Sequence, residues 1–373
     1  PGASLAARTR SINSIAPVRD KARPARGPYD HGMAEGPPLT EPLAGLPDDA
    51  RARLVAAPAP ARPEAMAATL TDARFSDPDW MFERKLDGER CLAWVEGGAV
   101  RLRSRNDLVL DDTYPEVVDA LAQRTDADLV VDGEVVSFDR GRTSFARLQK
   151  RLGVRSAASA RERARRVGVY YYLFDVLWCD GYDVRALDLR SRKAVLRRAV
   201  NFGDPLRFSA HRNWSGEAYY AYACRHGWEG LIAKRASSAY VGRRSRDWLK
   251  MKCAAEQELV IGGFTEPQGS RIGFGALLVG YYEDGELRYA GKVGTGYDTA
   301  TLVSLRQVLD ELEQTAPPFS GRVREPGAHW VRPELVAQVG FTEWTSDGKL
   351  RHPRFLGLRR DKDAADVVRE RPS

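Results

Sequence analysis

Lys85, Asp87, Gly88 and Arg90 stand in the order K-x-D-G-x-R within "MFERKLDGERCLAW", residues 81–94. A lysine amine can attack an electrophile and hold the product covalently, but only as the free base, and at pH 7 deprotonating an ordinary ammonium costs about 4.6 kcal/mol. The short pattern also fits an inert hairpin, with two strands joined by an Asp-Gly turn and Lys85 in solvent.

Other residues bear on that choice. "VVDGEVV" puts Glu134 inside an apolar strand, and "WEGLIAKR" puts Glu229 and Lys234 at either end of a short apolar run. Charges in such runs are costly unless paired or metal-bound, so each marks a site or a structural ion pair. In "DWLKMKC" strand alternation sets Lys250 and Lys252 on one face about 7 Å apart, a spacing that suits a polyanion. "VRLRSRN" sets Arg101, Arg103 and Arg105 on one face of a strand; they read as phosphate-binding guanidinium groups or as charges guarding a sheet edge. Phe174, in "YYYLFDVLW", could offer a ring to a base or simply fill the core.

The elements that must position these residues are short strands. "MFERKL", "RCLAWVEGGAVRLRSR", "LVVDGEVVSF", "GVYYYLFDVLW", "GLIAKR" and "DWLKMKC" have the β-branched and aromatic enrichment of strands, while "YPEVVDALAQR" and "LRSRKAVLRRAV" have helical spacing. Beyond Ala254 come further strand segments, one amphipathic helix around "TATLVSLRQVLDELEQ", and Asp-Gly turns in "YYEDGELRY" and "WTSDGKLRH", a pattern that suggests a small OB-like barrel. Residues 1–64 hold 11 of the 21 prolines and one aromatic, Tyr29, and are expected to be mostly disordered.

In their order along the chain, these motifs resemble the nucleotidyltransferase motifs of the ATP-dependent DNA ligase family. Lys85–Arg90 resembles motif I, Ser104–Asn106 motif Ia, Asp132–Glu134 motif III, "LFDVL" motif IIIa, "EGLIAKR" motif IV, "WLKMK" motif V and Gly357–Lys362 motif VI. The stretches "SAYVGRRSRDWLKMK" and "HWVRPELVAQVGFTEWTSDGKLRHPRFLGLRRDK" are most similar to the bacterial LigD and LigC group, used in end joining. The resemblance implies an α+β fold. A nucleotidyltransferase (adenylation) domain with antiparallel sheets and flanking helices, residues 65–254, precedes a C-terminal OB-fold β-barrel domain, residues 255–373.

It also implies a chemistry: Lys85 takes AMP from ATP, passes it to a DNA 5′-phosphate, and the 3′-hydroxyl displaces AMP to seal the strand. By the same resemblance Lys250 and Lys252 meet the α-phosphate, Phe174 stacks on adenine, and Arg90 and Glu134 contact the ribose. Glu83 and Lys234 lie beside the nucleotide, Arg105 reads the nick 5′-phosphate, and Glu134 and Glu229 hold Mg²⁺ or Mn²⁺. Arg359 and Lys362, with Asp361, reach the pyrophosphate only if the second domain closes about a hinge near Ala254–Glu256. Arg84, Arg90, Lys250, Lys252 and the metal are expected to disfavour the Lys85 ammonium and to outweigh Asp87.

Composition limits the alternatives. Lys plus Arg number 58 against 51 Asp plus Glu, a net +7 compatible with a nucleic-acid partner, and Gly141–Arg166 carries nine basic residues and one acid that could contact a phosphate backbone. The expected partners are nicked or broken double-stranded DNA and a DNA-end-binding repair protein; a monomer in the cytoplasm is expected. No stretch is apolar enough to span a bilayer. Cys91, Cys179, Cys224 and Cys253 form no C-x-x-C pair and read as four buried thiols, and the five histidines lack metal-ligand spacing. Rivals are an RNA ligase or a capping guanylyltransferase, which would share Lys85 and its carboxylates, and a non-catalytic DNA-end-binding module, which would have no use for the whole set.

Overall fold

The computed structural model describes residues 37–152 and 157–371. The site is carried by strands β1 (Ala67–Leu70), β2 (Trp80–Lys85), β3 (Glu89–Glu96), β4 (Ala99–Ser104), β5 (Leu129–Val136), β6 (Tyr170–Cys179), β7 (Gly230–Arg235) and β8 (Arg244–Lys252). Strands β4-β3-β5-β6 form the centre of a seven-stranded sheet, extended by Tyr182–Asp183 and Val55–Ala56 and, in parallel, by Leu206–Phe208. A five-stranded sheet runs His211–Asn213, β2, β7, β8, β1, the last pair again parallel. The expected antiparallel sheets are therefore each mixed by one parallel pair.

Alternation divides the first sheet between two cores. Cys91, Ala93 and Val95 of β3 and Leu129, Val131 and Val135 of β5 pack against the helices α1 (Pro115–Arg124) and α2 (Leu189–Ala199). The intervening Leu92, Trp94 and Val130 face the second sheet with Met66, Tyr240 and Trp248. Arg90, Asp132 and Glu134 share the parity of that second set. The strand period therefore turns these polar groups toward the gap between the sheets.

Lys85 and Arg90 are not on one hairpin. β2 and β3 belong to different sheets and do not pair, so Leu86–Gly88 is a crossover between layers rather than a two-residue turn. A Cβ on Gly88 would lie 2.3 Å from the Val135 carbonyl oxygen, so glycine is required for close backbone approach. Asp87 accepts a hydrogen bond from the Phe145 amide, 3.3 Å.

A third sheet begins after β8. Its strands β9 (Ala255–Thr265), β10 (Leu277–Glu283), β11 (Glu286–Val293), β12 (Ala328–Phe341) and β13 (Arg354–Leu358) pair antiparallel in the order β11-β10-β9-β12, with β13 on β12. They surround a core of their own that includes Leu259, Ile261, Phe264, Val279 and Val339, plugged by the helix α3 (Thr299–Glu311) through Leu302, Leu305 and Leu309. The whole is α+β, with an OB-type barrel following two facing sheets.

Two expectations require correction. Residues 37–64 are ordered: Leu43, Leu46 and Ala50 are buried in the first core, and the indoles of Trp94 and Trp178 donate to the carbonyls of Pro60 and Ala57 at 2.8 and 2.6 Å. The segment covers a domain that supplies the aromatic surface the segment itself lacks. Residues 1–36 of the expected disordered extension lie outside the described residues. The four thiols are not all free: Cys224 and Cys253 form a disulfide, with Cα atoms 5.2 Å apart, while Cys91 and Cys179 are buried thiols. Helix Gly216–Arg225 packs against β7, which pairs with β8, and this tertiary arrangement joins two cysteines 29 residues apart.

Candidate active site

The second sheet builds its face in rows. Pairing of β2, β7 and β8 aligns Lys85, Gly230 and Lys252; then Glu83, Ile232 and Lys250; then Met81, Lys234 and Trp248. Directly paired residues share a face, so two strands deliver Lys85 and the lysine pair to one surface; a Cβ on Gly230 between them would lie 2.0 Å from the Met251 carbonyl oxygen, so glycine permits the close approach of β7 and β8. From the opposite sheet come Arg90, Glu134 and Phe174, and from the barrel Glu258, Gln338, Arg359, Asp361 and Lys362. These enclose a cleft of about 250 Å³. Lys85, Lys250, Lys252, Arg359, Lys362, Glu83, Arg90, Arg105, Glu134, Phe174, Glu229 and Lys234 all line it. The barrel closes over the cleft where Arg359 stacks 4.4 Å above the Phe145 ring and Gln149 donates to the Leu358 carbonyl.

Within the cleft Lys85 donates to Glu229 in a close ion pair. Burial pulls the amine pKa down, but Glu229, Glu256 and Asp87 outweigh it and hold the amine above its usual range, as the ammonium. Burial and the neighbouring Glu229 raise the Asp87 carboxyl to about 6, and burial lifts Glu134 to about 7 against the pull of Arg90 and Arg359. Glu256 is likewise raised by burial and by Glu229.

The cations expected to disfavour the Lys85 ammonium are each engaged by another group. Arg84 lies on the other face of β2, 4.5 Å over the Trp228 ring. Arg90 is clamped by Asp132, Nε to Oδ1 and Nη2 to Oδ2 at 2.5 Å each, with Nη2 also 3.0 Å from the Met66 carbonyl oxygen. Lys250 and Lys252 both meet Glu370.

A recess with aromatic walls lies beside the lysines. Lys234 Nζ sits 4.2 Å from the Phe174 ring centre and 4.1 Å from that of Trp248, and Arg90 lies 4.7 Å from Phe174. Glu83 is almost fully buried and saturated: Lys193 donates at 2.6 Å, Ser209 at 2.9 Å, and Lys234 lies at 3.0 Å. Burial would raise the Glu83 carboxyl, yet the two ammonium groups hold it at about 2, while burial lowers Lys234 to about 8. Glu83 thus fixes Lys234 and keeps no oxygen free for a ligand.

The arginine ribbon is dispersed. Arg101 pairs with Glu96 at the surface, Arg103 lies 3.5 Å from Asp111, and only Arg105, beyond the end of β4, lines the cleft. Arg359 is gripped by Asp361 at 2.9 and 2.8 Å, and Lys362 lies 3.4 Å from Glu258. Sequence reasoning named Asp132 and Glu256 without a role in the site, and gave none to Trp248, Lys193 or Glu370. Trp248 had a signal, since it continues the alternation of Lys250 and Lys252; Lys193, within an arginine-rich helix, had none.

One oxygen of Glu229 is on Lys85; the other, Oε2, is buried without a hydrogen-bond partner. Such an oxygen suits a hard cation. Among the described residues no three His, Cys, Asp or Glu side chains are grouped to hold a metal by themselves. Magnesium commonly takes only one or two carboxylates and completes its shell with water and phosphate, so Glu229 with Glu134 fits that requirement.

Two family models match the chain: the ATP dependent DNA ligase domain over residues 64–252, and the ATP dependent DNA ligase C terminal region over residues 270–362. The chain belongs to the ATP-dependent DNA ligase family. This ligase chain is 41% identical over 304 residues to the multifunctional non-homologous end joining protein LigD of Pseudomonas aeruginosa, an alignment covering 79% of the chain and 35% of the relative. It is 32% identical over 307 residues to a DNA ligase of Thermococcus onnurineus, covering 77% of the chain and 53% of that protein. The solved structure of mycobacterial DNA ligase D complexed with ATP and MES matches 83% of the ligase chain and 98% of its own, at 35% identity and a TM-score of 0.60. The chain therefore spans between a third and about half the length of these curated relatives.

Proposed function

We propose that this chain seals 3′-hydroxyl/5′-phosphate breaks in double-stranded DNA through a lysyl-AMP and a DNA-adenylate, as the ligase portion of an end-joining enzyme. The observation that carries the reading is the row geometry: Lys85 and the pair Lys250 and Lys252 on one sheet face, beside a recess walled by Phe174 and Trp248.

In adenylation a Lys85 Nζ–Pα bond forms, the bond from Pα to the bridging oxygen breaks, and pyrophosphate leaves. Lys85 must first shed a proton, and Glu229, its hydrogen-bond partner, is the nearest acceptor. Glu229 and Glu134 would hold a divalent ion, Mg²⁺ or Mn²⁺, whose charge offsets the carboxylate now fixing the ammonium and the charge growing on the phosphates. Phe174 and Trp248 would take the adenine, Glu134 the ribose, and Lys250 and Lys252 the α-phosphate. Lys234 lies beside the adenylate, with Glu83 setting its position. Arg359 and Lys362 reach the pyrophosphate in the closed arrangement, Arg105 meets the nick phosphate, and reopening about a hinge near Ala254–Glu256, between residues 65–254 and 255–373, would admit DNA.

The resemblance to LigD supports a role in end joining; a DNA-end-binding partner, a place in the bacterial cytosol and a monomeric state are further parts of the proposal. No helix among the described residues is long and apolar enough to cross a membrane. Incubation with α-labelled ATP and Mg²⁺, followed by a chase with nicked DNA, tests the reading. The label should enter the parent, leave it for DNA, and be absent from Lys85→Ala. Label retained by Lys85→Ala, or label accepted from GTP in preference to ATP, would overturn it.

A further inference from the structure

The segment after β13 returns to the cleft and places a carboxylate on the lysine pair. Glu370 Oε1 accepts from Lys250 and Oε2 accepts from Lys252 at 3.0 Å, so one planar anion bridges both ammonium groups with an oxygen for each. Two oxygens of a phosphate would meet the same pair in the same way.

The segment is fastened for this purpose at several points. Val367 is buried in the barrel core, and its carbonyl accepts from the Tyr282 amide at 2.7 Å. Gln257, buried on β9, donates through Nε2 to the Val368 carbonyl at 3.0 Å, and its Oε1 accepts from the Glu370 amide at 3.0 Å. Arg369 lies 4.4 Å over the Trp344 ring, and Arg371 is 2.9 Å from Glu283. The barrel therefore presents Glu370 to lysines of the other domain as a fixed group.

We propose that Glu370 is a built-in occupant of the phosphate subsite, which the nucleotide must displace before adenylation; this rests on the reading of Lys250 and Lys252 as phosphate-binding. Of the other acids nearby, Glu258 is committed to Lys362 and Arg359 at 3.4 and 4.0 Å and is not hydrogen-bonded to either lysine of the pair, and Glu256 accepts from Lys252 only through its main-chain oxygen at 2.7 Å, so neither carboxylate substitutes for Glu370. Protonation does not release the latch in the neutral range: burial would raise the carboxyl, but Lys252 and Lys250 hold it at about 2. Release requires a competing anion or withdrawal of the barrel. The consequence is a ligase that keeps its cationic pair compensated while empty and requires more ATP than the bare pair would.

A latch closed in nine molecules of ten weakens apparent affinity about tenfold. Single-turnover labelling with α-labelled ATP should give Glu370→Gln a half-saturating ATP concentration about tenfold below that of the parent, with the rate at saturation not reduced. Gln257→Ala, which loosens the segment without changing charge, should shift it in the same direction, and carries the test alone if Glu370→Gln does not fold. In calorimetry with AMP, whose phosphate is the one assigned to the lysine pair, Lys85→Ala combined with Glu370→Gln should bind more tightly than Lys85→Ala alone. A parent that takes label with both variants at an unchanged or higher half-saturation would overturn the latch while leaving the adenylation reading intact. A parent that takes no label would overturn that reading, and unchanged AMP binding would then reject the latch as well.

Discussion

Lys85 and Glu229, 144 residues apart in the chain, form an ion pair in the cleft, and Glu229 keeps its second oxygen buried without a partner. On the proposed adenylation reading, the nucleophile is stored as an ammonium by the same carboxylate that would receive its proton, and reactivity would come from what changes at Glu229 on nucleotide and metal binding.

Removing that carboxylate should free the amine. In the parent, Glu229, Glu256 and Asp87 hold Lys85 above its ordinary 10.5 despite burial; in Glu229→Gln, burial acts against fewer opposing charges and the pKa falls. Competitive acylation of Lys85 against pH, read by peptide mass spectrometry without ATP, measures this directly. An unchanged titration in Glu229→Gln would refute the storage argument.

Glu83 should behave as a structural keystone with a defined pH signature. Its carboxyl is depressed from 4.5 to about 2, so its contribution to stability is present above pH 4.5 and is lost as pH falls through about 2. Glu83→Gln leaves Lys193 and Lys234 buried beside a neutral group and should cost about 3–5 kcal/mol at pH 7. The gap in thermal midpoint from the parent should narrow below pH 4.5. A gap that stays constant down to pH 2 would contradict this.

Gly88 and Gly97 separate two reasons for a glycine. An added Cβ at Gly88 meets the Val135 carbonyl oxygen at 2.3 Å, whereas Gly97 has a φ of +58° and open space around it. Gly88→Ala should cost about 1–3 kcal/mol or more through overpacking, and should slow adenylation because Val135 adjoins Glu134. Gly97→Ala should cost about 1 kcal/mol and leave adenylation alone. Thermal melts of the two variants with parallel labelling assays would decide it.

The basic stretch can be tested through salt. Arg161, Arg163, Arg165 and Arg166 are exposed on the helix Ala157–Arg166, whereas Arg151 is fully buried and held by Glu116 at 2.6 and 2.9 Å, so it is unavailable to DNA. If the helix touches the backbone, neutralising the four exposed arginines should lower the slope of log affinity for nicked DNA against log salt by up to about 3–4. Arg151→Ala should leave the slope unchanged and lower stability.

The disulfide is open to direct counting. Alkylation under denaturing conditions should modify two of the four cysteines without reductant and all four with it. Four modified residues without reductant would remove the bridge.

By itself, the sequence determined the strands and what they carry. β-Branched runs with period 2 marked Glu134, Lys250 and Lys252 as polar groups on faces that bury apolar neighbours, and the ordered motifs identified the family and a barrel after the first domain. These are local properties of a strand, set by alternation and by the cost of burying charge. What the tertiary structure decided is which charge meets which. The expected hairpin at Lys85 is a crossover between two sheets, because pairing partners lie far along the chain and register is set by facing cores. The cations expected to activate Lys85 are each neutralised by a residue from elsewhere: Arg90 by Asp132, and Lys250 and Lys252 by Glu370, 120 and 118 residues away. The sign of a pKa shift follows from distances of a few ångströms between such residues, and no spacing along the chain encodes them.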